Sequence, residues 1–160
     1  MVIGFTIPAC QVKPHANDSG TSPADTGFAG VQARGQAVMG VDQYTSQHVF
    51  EDLPDGGRVV LERDDASDSV GIATIRAHMQ DIARRFASGD FALPGVVHDR
   101  EVPGTDVMAA RRSAISYTAV DRPRGGELRI ASQDSVAVAA IHQFLAFQRM
   151  DHHAMGHMPN

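Results

Sequence analysis

Alternating hydrophobic and polar residues occur in two pairs of runs, each pair separated by a proline and two glycines. The first pair is Tyr44 to Asp52 and Arg58 to Arg63 around Pro54-Asp55-Gly56-Gly57, and the second is Ile115 to Ala119 and Leu128 to Ile130 around Pro123-Arg124-Gly125-Gly126. Alternation with a period of two indicates a half-buried strand. Proline fixes φ at a corner and glycine accepts positive φ. Each pair therefore predicts a β-hairpin, and the first turn predicts a bulge as well.

Helical spacing follows each hairpin. The first helix has the apolar stripe Ile75, His78, Met79, Ile82 and Phe86; Asp68 or Ser67 caps it and Gly89 ends it. The second helix, from Ser135 to about Asp151, is capped by Asp134. Its stripe is Val138, Ile141, Phe144 and Leu145. A weaker pattern predicts a helix from Phe28 to Gly40. The stretch 90–104 predicts an irregular segment, followed by a short helical turn that holds Val107 and Met108.

The two halves match as an internal duplication. The Pro-x-Gly-Gly corners lie 69 positions apart, and Gly35 and Met39 match Gly104 and Met108 at that offset. The helices match at an offset of 66, which aligns Asp68 with Asp134. We predict an α+β domain over 27–151, made of two strand–strand–helix repeats at about 35–88 and 104–151. Its four-stranded antiparallel sheet carries both helices on one face, with pseudo-twofold symmetry and a preceding short helix.

The beginning of the chain has the composition of an export signal and a tether. A short apolar start leads to Ile7-Pro8-Ala9-Cys10, which is similar to the end of a lipoprotein signal, although no basic residue precedes it. The polar residues up to position 26 predict a flexible tether. Cys10 is thus a candidate for lipidation, which would tether the protein to a membrane in the periplasm or outside the cell. An incidental cysteine in a frayed terminus, and a cytoplasmic protein, are the alternatives.

The charge and the residue composition limit the kinds of molecule that the protein is expected to bind. The formal net charge of −5 argues against nucleic acid, because phosphate binding needs a clustered basic surface. The chain has eight His and seven Met but one Cys. Imidazole suits copper and zinc, and thioether sulfur selects Cu(I), so a bound copper ion is favoured and zinc is the alternative.

The duplication shows which histidines depart from the repeated pattern. His78 matches Phe144 on the inner helix stripe, and His48 matches Tyr117 on a strand. Both are candidate metal ligands. The alternatives are a buried His78 whose nitrogens bind neighbouring groups, and a hydrogen bond between His48 and Tyr117 across the symmetry axis.

Other candidate ligands carry weaker signals. His98 falls in the predicted irregular segment, where sites often lie. Met39 and Met108 are matched thioethers, but methionine is also a common core filler. His142 matches Arg76 on the flank of a helix stripe, so its assignment as a ligand is less secure.

A second group of donors lies near the end of the chain. This tract contains His152, His153, Met155, His157 and Met158. Flexible donors close in sequence bind metals with low selectivity, so we assign this tract over 152–160 to scavenging or delivery of metal.

Two motifs resemble a family. Met39-Gly40-Val41-Asp42-Gln43 followed by His48-Val49-Phe50, and Ala140 to Gln148 followed by His152, are similar to segments of a family of small, exported, uncharacterised bacterial proteins. The resemblance spans about 35–153. It implies export and a single small domain, and it brings no catalytic residues.

Three functions therefore compete. The first is an extracytoplasmic metal-binding protein, most simply for copper, that binds or hands over the ion. The second is an enzyme or ligand binder in which His98 and Asp99 supply acid–base chemistry and Arg111 and Arg112 hold an anion. The third is an interaction module that uses the uncovered sheet face. Self-association into a homodimer stays open.

Overall fold

A four-stranded antiparallel sheet forms the centre of the chain, in a computed structural model that describes residues 23–40 and 42–152. One hairpin pairs β1 (Ser46–Leu53) with β2 (Gly56–Arg63), and the other pairs β3 (Ile115–Arg122) with β4 (Gly125–Ser132). The strand order is β1-β2-β4-β3, so β2 and β4 join the two hairpins at the centre. The predicted α+β class and antiparallel sheet are confirmed.

The register of the central pair displays the predicted pseudo-twofold symmetry. Val59 pairs with Leu128, which is its own counterpart 69 positions later, so the axis passes between these two residues. The same offset relates the outer ladders, in which His48 pairs with Leu61 and Tyr117 with Ile130. The correspondence that the sequence proposed between His48 and Tyr117 is therefore a structural equivalence.

Two long helices cover one face of the sheet, namely α2 (Ser69–Ser88) and α5 (Ser135–Asp151). Both have the predicted caps, because the Asp68 carboxylate accepts a hydrogen bond from the Gly71 amide and the Asp134 carboxylate accepts one from the Val136 amide, each at 2.9 Å. Helix α2 lies mainly on β3 and β4, whereas α5 lies mainly on β1 and β2. Each helix thus covers the hairpin of the other repeat, which locks the two repeats into one core.

The hairpin turns differ from the prediction in one respect. Pairing runs without interruption from Ser46 with Arg63 to Leu53 with Gly56, so the bulge that the sequence predicted in the first hairpin is wrong. The two-residue turn already delivers the strands in register. Gly56 does have a positive φ of 140°, as expected.

The second glycine of each corner has a different role, which is to let a helix approach the sheet. A Cβ atom on Gly57 would lie 2.2 Å from Cδ1 of Leu145 and 2.6 Å from the Glu51 carbonyl oxygen. A Cβ on the equivalent Gly126 would lie 3.0 Å from Cγ of Met79. Leu145 and Met79 are themselves equivalent at the 66-residue offset, so the same helix position rests on the same glycine in both repeats.

Three further helices complete the described chain: α1 (Pro23–Met39), α3 (Ala92–His98) and α4 (Thr105–Ala110). Short 3-10 turns occupy Gln43–Thr45 and Arg112–Ala114. Helix α1 starts earlier than predicted, and α4 holds Val107 and Met108 as predicted.

Helix α3 corrects the prediction of an irregular segment over 90–104. Pro94 is tolerated at its third position, because the first four amides of a helix have no intrahelical partner. The Asp90 carboxylate instead receives the Ala92 amide at 3.0 Å. None of the helices in the described ranges combines the length and apolarity needed to cross a membrane.

Candidate functional site

Two histidines that are far apart in sequence meet on the covered face of the sheet. His48 points inward from β1, next to Phe50 on the same face. His152 follows α5 directly, and its amide donates to the Gln148 carbonyl oxygen at 3.0 Å, which continues the helical turn. The imidazoles of His48 and His152 are nearly parallel, with ring centres 5.6 Å apart. His152 also contacts the Phe50 ring at 5.4 Å.

The other repeat fills the equivalent places with larger aromatic rings. The 66-residue offset matches His152 with Phe86, and the 69-residue offset matches His48 with Tyr117. Phe86 and Tyr117 pack edge to face with ring centres 5.8 Å apart. The chain therefore uses a Phe–Tyr pair in one half of its core and a His–His pair in the other. The Phe–Tyr pair shows that two aromatic rings satisfy the packing requirement at these positions. The two histidines are therefore not explained by packing.

A cavity of about 100 Å³ opens beside the His–His pair. Helices α1, α2, α3 and α5 and the inner face of the sheet line it. His78 and His98 contribute to its wall as well as His48 and His152, and Met39 contributes a thioether. The remaining wall is largely apolar and includes Val38, Leu61, Ile82, Leu93 and Val97. Four of the histidines that the sequence singled out thus border one internal space.

Burial determines the charge of these rings. It lowers the pKa of His48 to about 4. It also lowers the pKa of His152 to about 3, helped by repulsion from His48 and His98. Burial lowers the pKa of His78 as well. At neutral pH the rings of the pair are therefore uncharged, and each keeps a lone pair.

The pair also contains polar atoms that lack partners. Nε2 of His48 and Nδ1 of His152 are buried, and within the described residues neither has a hydrogen-bond partner. An unpaired buried polar group costs about 1–3 kcal/mol, so native proteins contain few of them. Two such nitrogens on neighbouring rings beside a cavity identify a place where a ligand would be stabilised.

His98 differs from His48 and His152 in its hydrogen bonding, because both of its ring nitrogens have a partner. Nδ1 pairs with the Asp151 carboxylate, and Nε2 lies 2.8 Å from Oε1 of Gln148. Asp151 also receives Arg100, whose guanidinium lies 4.8 Å from the centre of the Phe147 ring. His98 therefore fastens α3 to the end of α5. Its ring meets His152 edge-on at 5.1 Å and helps to fix the orientation of that ring.

The expectation that His98 lies in an irregular segment is wrong. It is the last residue of α3 and is only 5 % exposed. Asp99 follows in a left-handed conformation with φ of 53° and is exposed. The structure thus separates the two residues that the acid–base hypothesis combined.

The proposed anion-binding arginines are engaged elsewhere. Arg111 pairs with Asp134, and this contact, followed by the Val136 amide, lowers the pKa of the Asp134 carboxyl. Arg112 donates to the Ala109 carbonyl oxygen at 3.3 Å. Neither arginine borders the cavity. The structure does not bring the four residues of the enzyme hypothesis together.

Two other candidates have structural roles. His142 Nε2 is 3.0 Å from the Leu53 carbonyl oxygen, and the equivalent Arg76 donates to the equivalent carbonyl of Arg122 at 2.6 Å. Both side chains thus fix a helix to the end of a hairpin strand. Met108 is completely buried in the core beside α5 and is not part of the cavity wall.

The His48–Tyr117 hydrogen bond, offered above as an alternative, is wrong. The two residues lie on β1 and β3, which are the opposite edges of the sheet. Strands are spaced by about 4.8 Å, so three spacings separate the side chains. The Tyr117 hydroxyl is buried without a partner among the described residues, and burial raises its pKa.

Sequence reasoning missed part of the site. It assigned His152 to a flexible tail and did not consider Gln148 or Asp151. The signal for His152 was available, since the 66-residue offset aligns it with Phe86 of the inner stripe. Cys10, His153 and His157 lie outside the described residues.

The uncovered sheet face carries charges that pair with one another. Arg58 contacts Glu51 at 2.5 Å, and Arg122 contacts Glu127 at 3.0 Å. Val60, between these groups, is only 8 % exposed. On the described part of the sheet, this face therefore presents charges that are largely paired with one another.

Fold and site together define an α+β domain with duplicated repeats and a histidine-bordered internal cavity. Across residues 23–40 and 42–152, no three His, Cys, Asp or Glu side chains are arranged to hold a metal ion. Comparison with known proteins finds no family model, no curated protein and no solved structure that matches this chain.

Proposed function

We propose that this chain binds one soft metal ion, Cu(I) before any other, through His48 and His152 at the wall of the cavity. The function is binding or handover of the ion rather than catalysis. The observation that carries the proposal is the replacement of the Phe86–Tyr117 pair by two neutral imidazoles, each with a buried nitrogen that has no partner among the described residues. A metal ion satisfies such a nitrogen, whereas packing does not require it.

The number and type of donors favour copper over zinc. Structural zinc sites take four ligands, and the described residues offer no group of three His, Cys, Asp or Glu. Soft Cu(I) accepts two or three donors, and thioether sulfur is among the ligands that select it. Met39, on the cavity wall, is the candidate third donor.

The spacing of the two rings is compatible with a shared ion. With a metal–nitrogen distance of about 2 Å, two imidazoles in line on one ion have ring centres about 6 Å apart. The centres of His48 and His152 are 5.6 Å apart. The ring planes are stacked at 17°, so coordination would also require His152, the residue after the last helical one, to turn its ring until a nitrogen lone pair points at the ion.

Neighbouring residues support the ligands in this proposal. Partners in the outer shell of a metal site hold ligand rings in place and tune their basicity. His98 packs edge-on against His152 and is itself held by Asp151 and Gln148. In this scheme His98 is a positioning residue, and His78 is a reserve donor across the cavity.

The remaining histidines would serve delivery. His153 and His157 lie one and five residues after His152 in sequence, so a metal ion captured there would be close along the chain to the internal pair. Lipidation at Cys10 would place this handover outside the cytoplasm. Labelling with a radioactive fatty acid, compared with a Cys10→Ala variant, tests that placement.

The test of the metal site is an anaerobic titration of Cu(I) against a chromophoric chelator. A chain that ends at His152 should retain one tight Cu(I) equivalent. The double substitution His48→Tyr with His152→Phe, which installs the residues of the other repeat, should lose it. The matched control is His142→Arg, which also installs the residue of the other repeat but far from the cavity.

The outcomes separate the alternatives. If the shortened chain binds no Cu(I), binding belongs to the terminal tract alone. If the double variant binds as tightly as the parent, His48 and His152 are not ligands and the proposal is wrong. Parallel titration with Zn²⁺ is expected to show weaker binding, because the described residues offer no group of three His, Cys, Asp or Glu for a zinc site.

A further inference from the structure

The two edges of the sheet, β1 and β3, are protected to different degrees. On the β1 edge, Arg149 of α5 donates to the Phe50 carbonyl oxygen at 3.0 Å and pairs with the Asp52 carboxylate at 3.0 Å. The 66-residue offset matches Arg149 with Ala83 of α2, whose methyl group can make neither contact. The second repeat therefore lacks the guanidinium that covers the sheet edge of the first.

The backbone of β3 carries hydrogen-bonding groups that point away from the sheet. Arg122 and Gly125 close a two-residue turn as a hydrogen-bonded pair, and such pairs alternate along an antiparallel ladder. Tyr117, Ala119 and Asp121 therefore direct their amide and carbonyl groups outward, away from β4. In the part of the chain that the structure describes, these groups have no hydrogen-bond partner.

The side chains of β3 do little to keep another strand away. Edge strands are commonly protected by proline, lysine, a bulge or a covering helix. Strand β3 pairs with β4 without interruption, contains neither proline nor lysine, and has both of its charges at its end. Half of its residues are exposed, whereas only two residues of β1 are. The exposed residues of β3 are Ser116, Thr118, Val120 and Asp121. An open edge of this length is a template for strand addition.

The sequence of β3 is compatible with a second copy of itself in that position. A twofold axis normal to the sheet adds the second strand antiparallel and keeps both helix-covered faces on one side, so residues of one face meet residues of the same face. Two registers satisfy this condition near the middle of the strand, with either Thr118 or Ala119 opposite itself. The first register sets the Asp121 carboxylate beside the buried Ile115 of the second copy, whereas the second register does not.

We propose that β3 pairs antiparallel with β3 of a second copy of this chain, centred on Ala119, so that two four-stranded sheets become one. In this register Ala119 exchanges both backbone hydrogen bonds with Ala119 of the second copy. Thr118 lies opposite Val120, which covers a valine that is 46 % exposed. Ser116 lies opposite Arg122, so no like charges meet directly. This association does not depend on the metal ion proposed above.

The experiment is sedimentation equilibrium of the full-length protein in the presence of a metal chelator. Ser116→Glu sets a carboxylate opposite Arg122 of the second copy and should strengthen the dimer, whereas Ser116→Lys sets a cation there and should weaken it. Each contact occurs twice in a twofold dimer, so we expect the dissociation constant to change by about three- to tenfold in each direction. The matched control is Gln47→Lys, at the equivalent exposed position of the covered β1 edge, and it should leave the dissociation constant unchanged.

Amide hydrogen exchange locates the contact on the chain. The amides of Tyr117, Ala119 and Asp121 should exchange slowly at a concentration at which the dimer forms, and quickly after dilution. Exchange at Phe50, which is the counterpart of Ala119 on β1, should not depend on concentration.

Contrary results are distinct from those of the metal titration. A chain that stays monomeric up to millimolar concentration would overturn the proposal. A dimer that Gln47→Lys weakens as much as Ser116→Lys, or on which both Ser116 variants act in the same direction, would do the same. Loss of Cu(I) binding with the dimer intact would remove only the metal site, and a monomer that binds Cu(I) would remove only the dimer.

Discussion

Replacing the His–His pair by the residues of the other repeat should make the metal-free protein more stable. In His48→Tyr with His152→Phe, two rings of the kind that already pack as Tyr117 and Phe86 would occupy β1 and the end of α5. The change removes two buried nitrogens that have no partner within residues 23–40 and 42–152, and it fills part of the adjoining cavity. A pair selected for packing would show no such gain, whereas a pair retained for binding would.

The magnitude follows from two contributions. Each unpaired buried nitrogen costs about 1–3 kcal/mol. Cavity volume costs about 24 cal/mol per Å³, so a space of about 100 Å³ corresponds to about 2.4 kcal/mol, of which the slightly larger rings recover only a part. We expect a net gain of roughly 3 kcal/mol. For a chain of 160 residues this raises Tm by about 6–12 °C.

Urea unfolding monitored by circular dichroism, in the presence of a chelator, measures this gain. The single substitutions complete a double-mutant cycle, in which the pair should show favourable coupling because the two rings touch. The reasoning is refuted if the folded double variant is no more stable than the parent. That result would mean that the imidazole nitrogens are already satisfied in the native state.

Three further predictions concern pH, packing and a control position. Burial lowers the pKa of His48 and His152 from 6.5 to about 4 and about 3, so the unfolded state binds their protons first as the pH falls. The stability of the metal-free protein, complete above pH 6.5, should therefore fall by about 1.4 kcal/mol per pH unit for each ring between pH 6 and 4. A pH series of urea midpoints that is equally steep in the double variant would contradict this. Gly57→Ala should destabilise the protein by about 3 kcal/mol and Gly126→Ala by only about 1 kcal/mol. The reason is that a Cβ at Gly57 meets a backbone oxygen at 2.6 Å, whereas a Cβ at Gly126 meets the flexible side chain of Met79. Unfolding curves that rank the two variants in the reverse order would show that the close approach of helix to sheet does not determine the cost. His142→Arg should leave the free energy of unfolding within about 0.5 kcal/mol of the parent value. Arginine already makes the equivalent hydrogen bond to the strand end in the other repeat, at Arg76. A larger loss of stability would show that the two repeats differ at this position.

Local sequence signals were sufficient for most of the fold. Period-two alternation located both hairpins, and Asp68 and Asp134 marked the helix starts at which the structure has caps. The duplication added what single segments cannot supply, since two equivalent hairpins joined by a twofold axis leave few sheet orders. Helix α3 escaped prediction because Pro94 and Gly95 oppose helix formation, and it is contacts with α1 and α5 that hold it in place.

The candidate site divides in the same way. The comparison of repeats identified His48 and His78 as departures, and the structure places both on the cavity wall. Sequence patterns placed His98 in an irregular segment and His152 in the tail. They could not do better, because composition does not reveal which ring is buried against which. The pairing of His98 with Asp151 joins residues 53 positions apart, and no local pattern encodes it.

What the sequence determined by itself is the repeat: two hairpins, two capped helices and the positions at which one half departs from the other. These features depend on interactions within a few residues, or on comparison of one half with the other. What only the tertiary structure decided is that each helix crosses to the opposite hairpin, which brings His152 against His48 and creates the cavity beside them. Such contacts depend on how separate elements pack, and packing is a property of the whole core rather than of any stretch of the chain.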